Sequence, residues 1–372
     1  VTDPFIPVCA PLLGPRETEL VTQAVRDGWI SSAGPFVHAF AERFAAYVGV
    51  PYAEPVANGT VGLHVVLHAL GIGPGDEVIV PSLSFVATAA AVKYCGATPV
   101  FAEVLRSTWA LDPADVARKL GPRTRAIIPV HLFGVCADVP ALRAALGGRT
   151  DVTIVEDAAE AFGSAVDGVR VGALADAAVF SFYGNKTITT GEGGMVTTAR
   201  ADLADRVRFL KNHGMRPERR YFHPELGFNY RMTNLQAAVG LGQLEAADHL
   251  VGRKRHLDAR YRAHLAGADG VSFQSVPANQ FVAPWMVTVA DATLNEARRD
   301  ALIDRMRARG IETRPMFHPI HGMPPFAGCP GGPLPITEEL AACALALPSG
   351  AGLTDAEIDR CATTFLEERA RT

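Results

Sequence analysis

Ala177-Ala178-Val179-Phe180-Ser181-Phe182-Tyr183-Gly184-Asn185-Lys186-Thr187-Ile188-Thr189-Thr190-Gly191-Glu192-Gly193-Gly194 joins a short apolar run to a single lysine set among small residues and glycines. Residues 177–180 read as a buried strand, and the glycines that follow read as tight turns. An amine that leaves a strand end and is held by turns can form an imine with an aldehyde cofactor. Alone, Lys186 could be a surface lysine, Gly191 to Gly194 a plain hairpin turn and Glu192 a solvated charge. Its meaning depends on the sheet to which the strand belongs.

Upstream, apolar runs alternate with helical stretches. Glu77 to Pro81, Thr98 to Ala102, Arg125 to Val130 and Val152 to Val155 read as strands. Val61 to Leu70, Phe85 to Cys95, Asp112 to Leu120 and Val139 to Leu146 read as helices, and Asp112-Pro113 is a good helix start. Such alternation implies an α/β layer with a mostly parallel central sheet. After Gly194 the pattern shifts to the helices Ala201 to Lys211, Asn234 to Ala247 and Leu250 to Leu265. Strands within Gln280 to Val289 and the helices Leu294 to Arg309 and Asp355 to Arg369 follow. The expected organisation is an N-terminal arm and large α/β domain over residues 1–250, then a smaller α+β domain over 251–372.

The 372 residues are 48% hydrophobic and 20% charged, as in an ordinary globular enzyme. A net charge of −4, with no basic block beyond Arg216 to Arg220, disfavours a nucleic-acid partner. No apolar run reaches the roughly 18 residues of a membrane helix. Val1 to Phe5 lacks the basic and apolar regions of a signal peptide, so a cytoplasmic protein is expected. The six cysteines form no Cys-x-x-Cys pair, so no metal is expected and scattered thiols in a reducing compartment fit better.

In open parallel sheets, ligands gather at the carboxyl ends of the strands. Three candidates fall there. Asp157 follows Val152 to Val155; a buried carboxylate there needs a cation, which a protonated pyridine nitrogen supplies, although Asp157 with Glu160 also has capping-box spacing. Ser181 and Lys186 follow Ala177 to Phe180. Asn58-Gly59-Thr60 opens a helix whose free N–H groups suit an anion, or which is simply capped. An anion site, a strand-end acid and a lysine about 30 residues later make the functional case jointly. His64 and His68 share a helix at metal-binding spacing but read as packing or surface histidines, since no third ligand or acidic neighbour is apparent.

Several motifs occur in order along nearly the whole chain. They include Gly28-Trp29-Ile30-Ser31-Ser32, Asn58-Gly59-Thr60, Gly75 to Pro81, Glu156-Asp157-Ala158-Ala159-Glu160, the lysine stretch, Gly227 to Ala238 and Thr313-Arg314-Pro315. Together they resemble the DegT/DnrJ/StrS sugar aminotransferases of the aspartate aminotransferase-like, type I pyridoxal phosphate fold. The lysine stretch is spelled most like the perosamine synthase branch of that family. Ala90 departs from the asparagine that many relatives carry there.

The resemblance implies pyridoxal 5′-phosphate as cofactor. Lys186 would bind its aldehyde and move protons, Asp157 would pair with the ring nitrogen, and Glu160 would lie near the ring hydroxyl. Phe85 would stack on the ring, and Gly59, Thr60 and Ser181 would hold the phosphate. Asn229 would reach the phosphate of a neighbouring subunit, making a homodimer with shared sites. Trp29, Ser31, Ser32, Arg231, Arg314, His318 and His321 are the substrate-side candidates, and Lys211-Asn212-His213-Gly214 a loop that could act across the dimer. The implied reaction moves an amino group from L-glutamate to a nucleotide-linked keto-6-deoxyhexose, at C4 of a 4-keto sugar. Alternatives are a 3-keto sugar, a cyclitol, or a non-catalytic regulator that only binds the cofactor.

Overall fold

The computed structural model describes residues 4–371. Its first nine strands are β1 (Tyr52–Val56), β2 (Glu77–Pro81), β3 (Thr98–Ala102), β4 (Thr124–Ile127), β5 (Thr153–Asp157), β6 (Ala165–Val166), β7 (Val169–Arg170), β8 (Ala177–Ser181) and β9 (Gly194–Thr198). Seven of them form one sheet in the order β1-β9-β8-β5-β4-β2-β3. Strands β3, β2, β4, β5 and β8 run parallel, and β9 is antiparallel to both of its neighbours.

Side-chain alternation explains why both faces are covered. Val78, Val80, Val155 and Val179 point into one core, packed by the helices Gly59–Ala69, Ala87–Tyr94 and Ala201–Leu210. Ile79, Val100, Ile127 and Ile154 point to the other face, against Val116 and Leu142 of the helices Pro113–Lys119 and Val139–Ala145. With both faces buried, these strands read as continuous apolar runs. The parallel direction puts the carboxyl ends of β2, β4, β5 and β8 along one edge of the sheet, the edge that carries Pro81, Asp157 and Ser181.

The remaining strands are β10 (Val271–Phe273), β11 (Gln280–Phe281), β12 (Thr288–Asp291), β13 (Arg314–Pro315) and β14 (Ala344–Ala346). A second, antiparallel sheet has the order β10-β12-β14-β13, and β11 joins β6 and β7. The run Gln280 to Val289 therefore serves two sheets. Pro284 interrupts it, since proline cannot donate to a ladder, and Trp285 N–H is tied instead to the carbonyl of Phe133 at 3.1 Å.

The helix Ala247–Leu265 bridges the two halves. Leu250 and Val251 pack in the core beside the large sheet, and Leu257, Tyr261 and Leu265 in the core of the second sheet. The N-terminal segment packs on that second core through Ile6 and Val8, with Ile6 bridged to Ile311. We propose that the two structural units divide near residues 250 and 251, inside this helix. No helix among the described residues is long and apolar enough to cross a membrane.

Candidate active site

Asp157 is the last residue of β5 and is 5% exposed. No helix begins after it, so it caps nothing. Its carboxylate accepts hydrogen bonds from Thr88 Oγ1 at 2.7 Å and Ala159 N at 3.2 Å. Thr88 sits in the first turn of the helix after β2, which delivers its hydroxyl past β4 to the end of β5. Burial pushes the Asp157 carboxyl upward, opposed by these two bonds and by the charge of Lys186. A carboxylate so placed needs a cation to stay ionised.

Glu160 turns back toward β4 and accepts a bond from Phe133 N at 2.9 Å. Phe133 has φ of 54°, a left-handed backbone that a bulky residue adopts only when its surroundings hold it there. It is clamped between stacked rings, Trp285 at 6.0 Å and Phe317 at 5.8 Å. Burial raises the Glu160 carboxyl to about 7, against the pull of the Lys186 charge.

Lys186 hangs in the connection between β8 and β9, whose ends are fixed by the pairing of Ser181 with Gly194. The hairpin expected from the glycines is present, and the lysine lies within it. Its Nζ is 4.0 Å from Glu160 Oε1 and 3.4 Å from the centre of the Trp285 ring. Burial lowers its affinity for a proton, while Glu160 and Asp157 raise it. The amine thus lies between a carboxylate and an indole face.

Glu156, one residue before Asp157, has a different task. It is fully buried and accepts bonds from His131 Nε2 and from the backbone N–H groups of Gly172, Leu174 and Ala175, all at 2.9 to 3.0 Å. His131 Nδ1 accepts from Ala137 N at 3.0 Å, which fixes the proton on Nε2. This network anchors the loop after β4 and the strand end that carries Asp157.

Gly59 opens the helix Gly59–Ala69, with Asn58 as its cap through Val61 N at 3.0 Å. A Cβ on Gly59 would stand 3.0 Å from Ser181 Cβ, so the helix start and the end of β8 meet edge to edge. Thr60 follows in the first turn. Phe85 is 55% exposed and meets Phe317 edge-on at 6.0 Å. Trp285, Phe133, Phe317 and Phe85 therefore form a row of aromatic contacts leading outward from Lys186.

These donors fit pyridoxal phosphate. Lys186 would take the aldehyde, Asp157 the ring nitrogen, and Gly59, Thr60 and Ser181 the phosphate. The buried Asp157, bonded among the described residues only to a hydroxyl and a backbone N–H, has room in its charge balance for a ring cation.

The substrate-side candidates fall into two groups. Trp29, Ser31 and Ser32 lie on a loop tied down by the buried Asn234. Its Nδ2 donates to Trp29 O at 2.8 Å, its backbone N to Ser31 O at 2.6 Å, and its Oδ1 accepts from Phe36 N at 2.9 Å. Ser32 and Arg231 line a cleft of about 490 Å³ shared with Glu54, Arg208 and Asn212. Arg231 donates to Asn212 Oδ1 at 2.9 Å and Asn229 Oδ1 at 3.1 Å, and lies 3.3 Å from His213 Nε2. Lys211 is buried and spent, donating to Pro55 O at 2.7 Å and pairing with Glu54 at 2.9 Å. The second group is engaged elsewhere in the chain. Arg314 pairs with Glu312, His318 faces Glu296, and His321 is held by Ser82 Oγ at 2.7 Å and Glu338 at 3.3 Å.

His64 and His68 pack their rings 6.2 Å apart against Phe228, and His64 Nδ1 meets Tyr230 OH at 3.0 Å. No cluster of three metal-ligating side chains exists among the described residues. Reading the sequence missed Thr88, Phe133 and Trp285. Thr88 had a usable signal, since it lies three residues after Phe85 in the same helix start; the other two approach the site only through tertiary packing.

The DegT/DnrJ/EryC1/StrS aminotransferase family profile matches residues 11–366. The chain is 48% identical over 360 residues to a GDP-perosamine synthase of Caulobacter vibrioides, covering 96% of each chain. It is 41% identical over 338 residues to a dTDP-3-amino-3,4,6-trideoxy-alpha-D-glucose transaminase of Streptomyces venezuelae, covering 90% of this chain and 87% of that one. The crystal structure of the aminotransferase TlmJ from Streptoalloteichus hindustanus superposes with a TM-score of 0.92 at 33% identity, over 98% and 99% of the two chains. A buried lysine amine, a buried strand-end acid and a helix start set against the end of β8, on a type I fold, agree with these matches, and the non-catalytic alternative falls away. The chain belongs to the DegT/DnrJ/EryC1/StrS aminotransferases, enzymes that work with pyridoxal phosphate.

Proposed function

We propose that the enzyme transfers an amino group from L-glutamate to C4 of a nucleotide-linked 4-keto-6-deoxyhexose. The observation that carries the chemistry is the placement of Lys186 Nζ between Glu160 and the Trp285 ring, on the edge where Asp157 also ends. The 48% identity to a GDP-perosamine synthase over nearly the full length supports the C4 position, perosamine being a 4-amino sugar. The 3-amino-sugar relative, less similar and less fully covered, keeps C3 as the competing reading.

Bound pyridoxal phosphate supplies a carbon that can carry the amino group and a ring that withdraws electrons from it. Lys186, its amine favoured in the uncharged form by burial, acts as nucleophile and then carries a proton to and from the reacting carbon. Asp157, held by Thr88, keeps the ring nitrogen protonated. Glu160 steadies the lysine charge whenever it forms. Trp29, Ser31, Ser32 and Arg231 are the sugar-nucleotide contacts we favour, with Arg314, His318 and His321 joining after rearrangement of their present contacts with Glu312, Glu296 and Glu338. Asn229 serves a neighbouring subunit in a homodimer. Six unpaired cysteines suit a reducing cytoplasm.

The test is spectroscopic. L-glutamate alone should convert the absorption of the cofactor-loaded enzyme. A GDP-linked 4-keto-6-deoxyhexose should then restore it at least about tenfold faster than a 3-keto sugar or a cyclitol ketone. Borohydride reduction beforehand should fix the cofactor on the Lys186 peptide. Fixation on another residue, or restoration by the 3-keto sugar alone, would reverse the corresponding assignment.

A further inference from the structure

Lys254 is 2% exposed, in the middle of the helix that bridges the two halves. A buried ammonium normally has a carboxylate beside it. No carboxylate among the described residues forms an ion pair with Lys254; its Nζ donates instead to Trp285 O at 2.9 Å, to Ser349 O, and to Cys9 Sγ at 3.5 Å.

Each partner leads back to the reactive amine. Trp285 places its ring beneath Lys186 Nζ and donates its indole N–H to Asn185 O at 2.8 Å, one residue before Lys186. Cys9 Sγ donates to the same Asn185 carbonyl at 3.1 Å. Ser349 holds the N-terminal segment through Val8 O at 2.6 Å. The bridging helix, the N-terminal segment and the turn before Lys186 are thus tied into one knot with a buried amine at its centre.

We infer that Lys254 is a positioning residue for Lys186, fixing the Trp285 face under its amine and, tied through Trp285 and Cys9 to the turn before Lys186, opposing its charge with a second cation. The inference rests on reading Lys186 as the reactive amine. The charged or titratable groups around Lys186 are Glu160 and Asp157 from the strand-end turn, Cys9 from the N-terminal segment and Lys254 from the bridging helix. Burial disfavours the protonated lysine; Glu160, Asp157 and Cys9 favour it, and Lys254 sides with burial against it. A nucleophile or proton carrier that must be uncharged gains from this opposition, as lysines beside a second cation do generally.

The test labels cofactor-free protein with limiting acetic anhydride across a pH series and reads modification of the Lys186 peptide by mass spectrometry. Lys254→Met should raise the labelling midpoint of Lys186 by about one pH unit. Lys254→Gln, which still donates to both carbonyls but carries no charge, should do the same, and decides the matter if the methionine variant does not fold. Lys254→Arg should return the midpoint toward wild type. A neutral variant with native circular dichroism and an unmoved midpoint overturns the inference. Loss of borohydride fixation at Lys186 in the wild type would instead overturn the reading beneath it.

Discussion

At the scale of single residues, three side chains carry testable weight. Lys186→Ala should lose more than about a thousandfold in turnover, since it removes both nucleophile and proton carrier. Thr88→Val removes the hydroxyl donor to Asp157 and leaves that buried carboxylate with one backbone partner. Such a loss is worth about 1–3 kcal/mol, so kcat should fall roughly tenfold or more while glutamate KM changes little. Glu160 gives a pH prediction. Its carboxyl is raised to about 7 in the fold, against an ordinary 4.5. The folded protein therefore binds more protons than the unfolded chain between those values, and this group's contribution to stability falls as pH rises through the window. In cofactor-free protein, Glu160→Gln should accordingly gain thermal stability relative to wild type on going from about pH 5 to pH 8. A Tm difference that is flat with pH would remove the assignment.

At the scale of elements, much of the architecture was legible and the contacts between elements were not. The strands ending in Asp157 and Ser181 were readable because burial on both faces leaves near-continuous apolar runs. The lysine hairpin was readable from its glycines. Asp157 with Glu160 showed how one spacing serves two ends: it matches a capping box, yet the chain after β5 turns instead of coiling, and Glu160 bonds to Phe133. Trp285 and Phe133 gave no local signal, because Trp285 reaches Lys186 only when Pro284 breaks the run from Gln280 and the chain changes sheets, and Phe133 meets the site only through Glu160 and the Trp285 ring. Asn234 was read as a helix start, while its side chain ties Trp29 and Phe36 across about 200 residues. Asn234→Ala should cost about 2–4 kcal/mol of stability by orphaning those two backbone groups. If the Trp29 loop faces the sugar nucleotide, its KM should rise more than kcat falls. Gly34 belongs to the same lock, for a Cβ there would stand 2.4 Å from Asn234 Cγ.

At the scale of the whole molecule, the chain closes on itself: residues near its start pack on the last sheet, and one helix spans both cores. The proposed dimer adds a further level. If Asn229 serves the partner's site, Lys186→Ala and Asn229→Ala should complement each other when refolded together. Half of the dimers would be mixed, each with one intact site of two, so about a quarter of wild-type activity should return. Recovery of none would place Asn229 in its own subunit's site, and an Asn229→Ala enzyme that is active by itself would place it in none. The chain also carries an internal optical reporter. Of its three tryptophans, Trp29 is half exposed, Trp109 is buried in the second core, and Trp285 lies directly beneath the Lys186 amine. Any chromophore held by Lys186 would stand within energy-transfer range of that indole, so quenching of its emission would count occupied sites without a substrate.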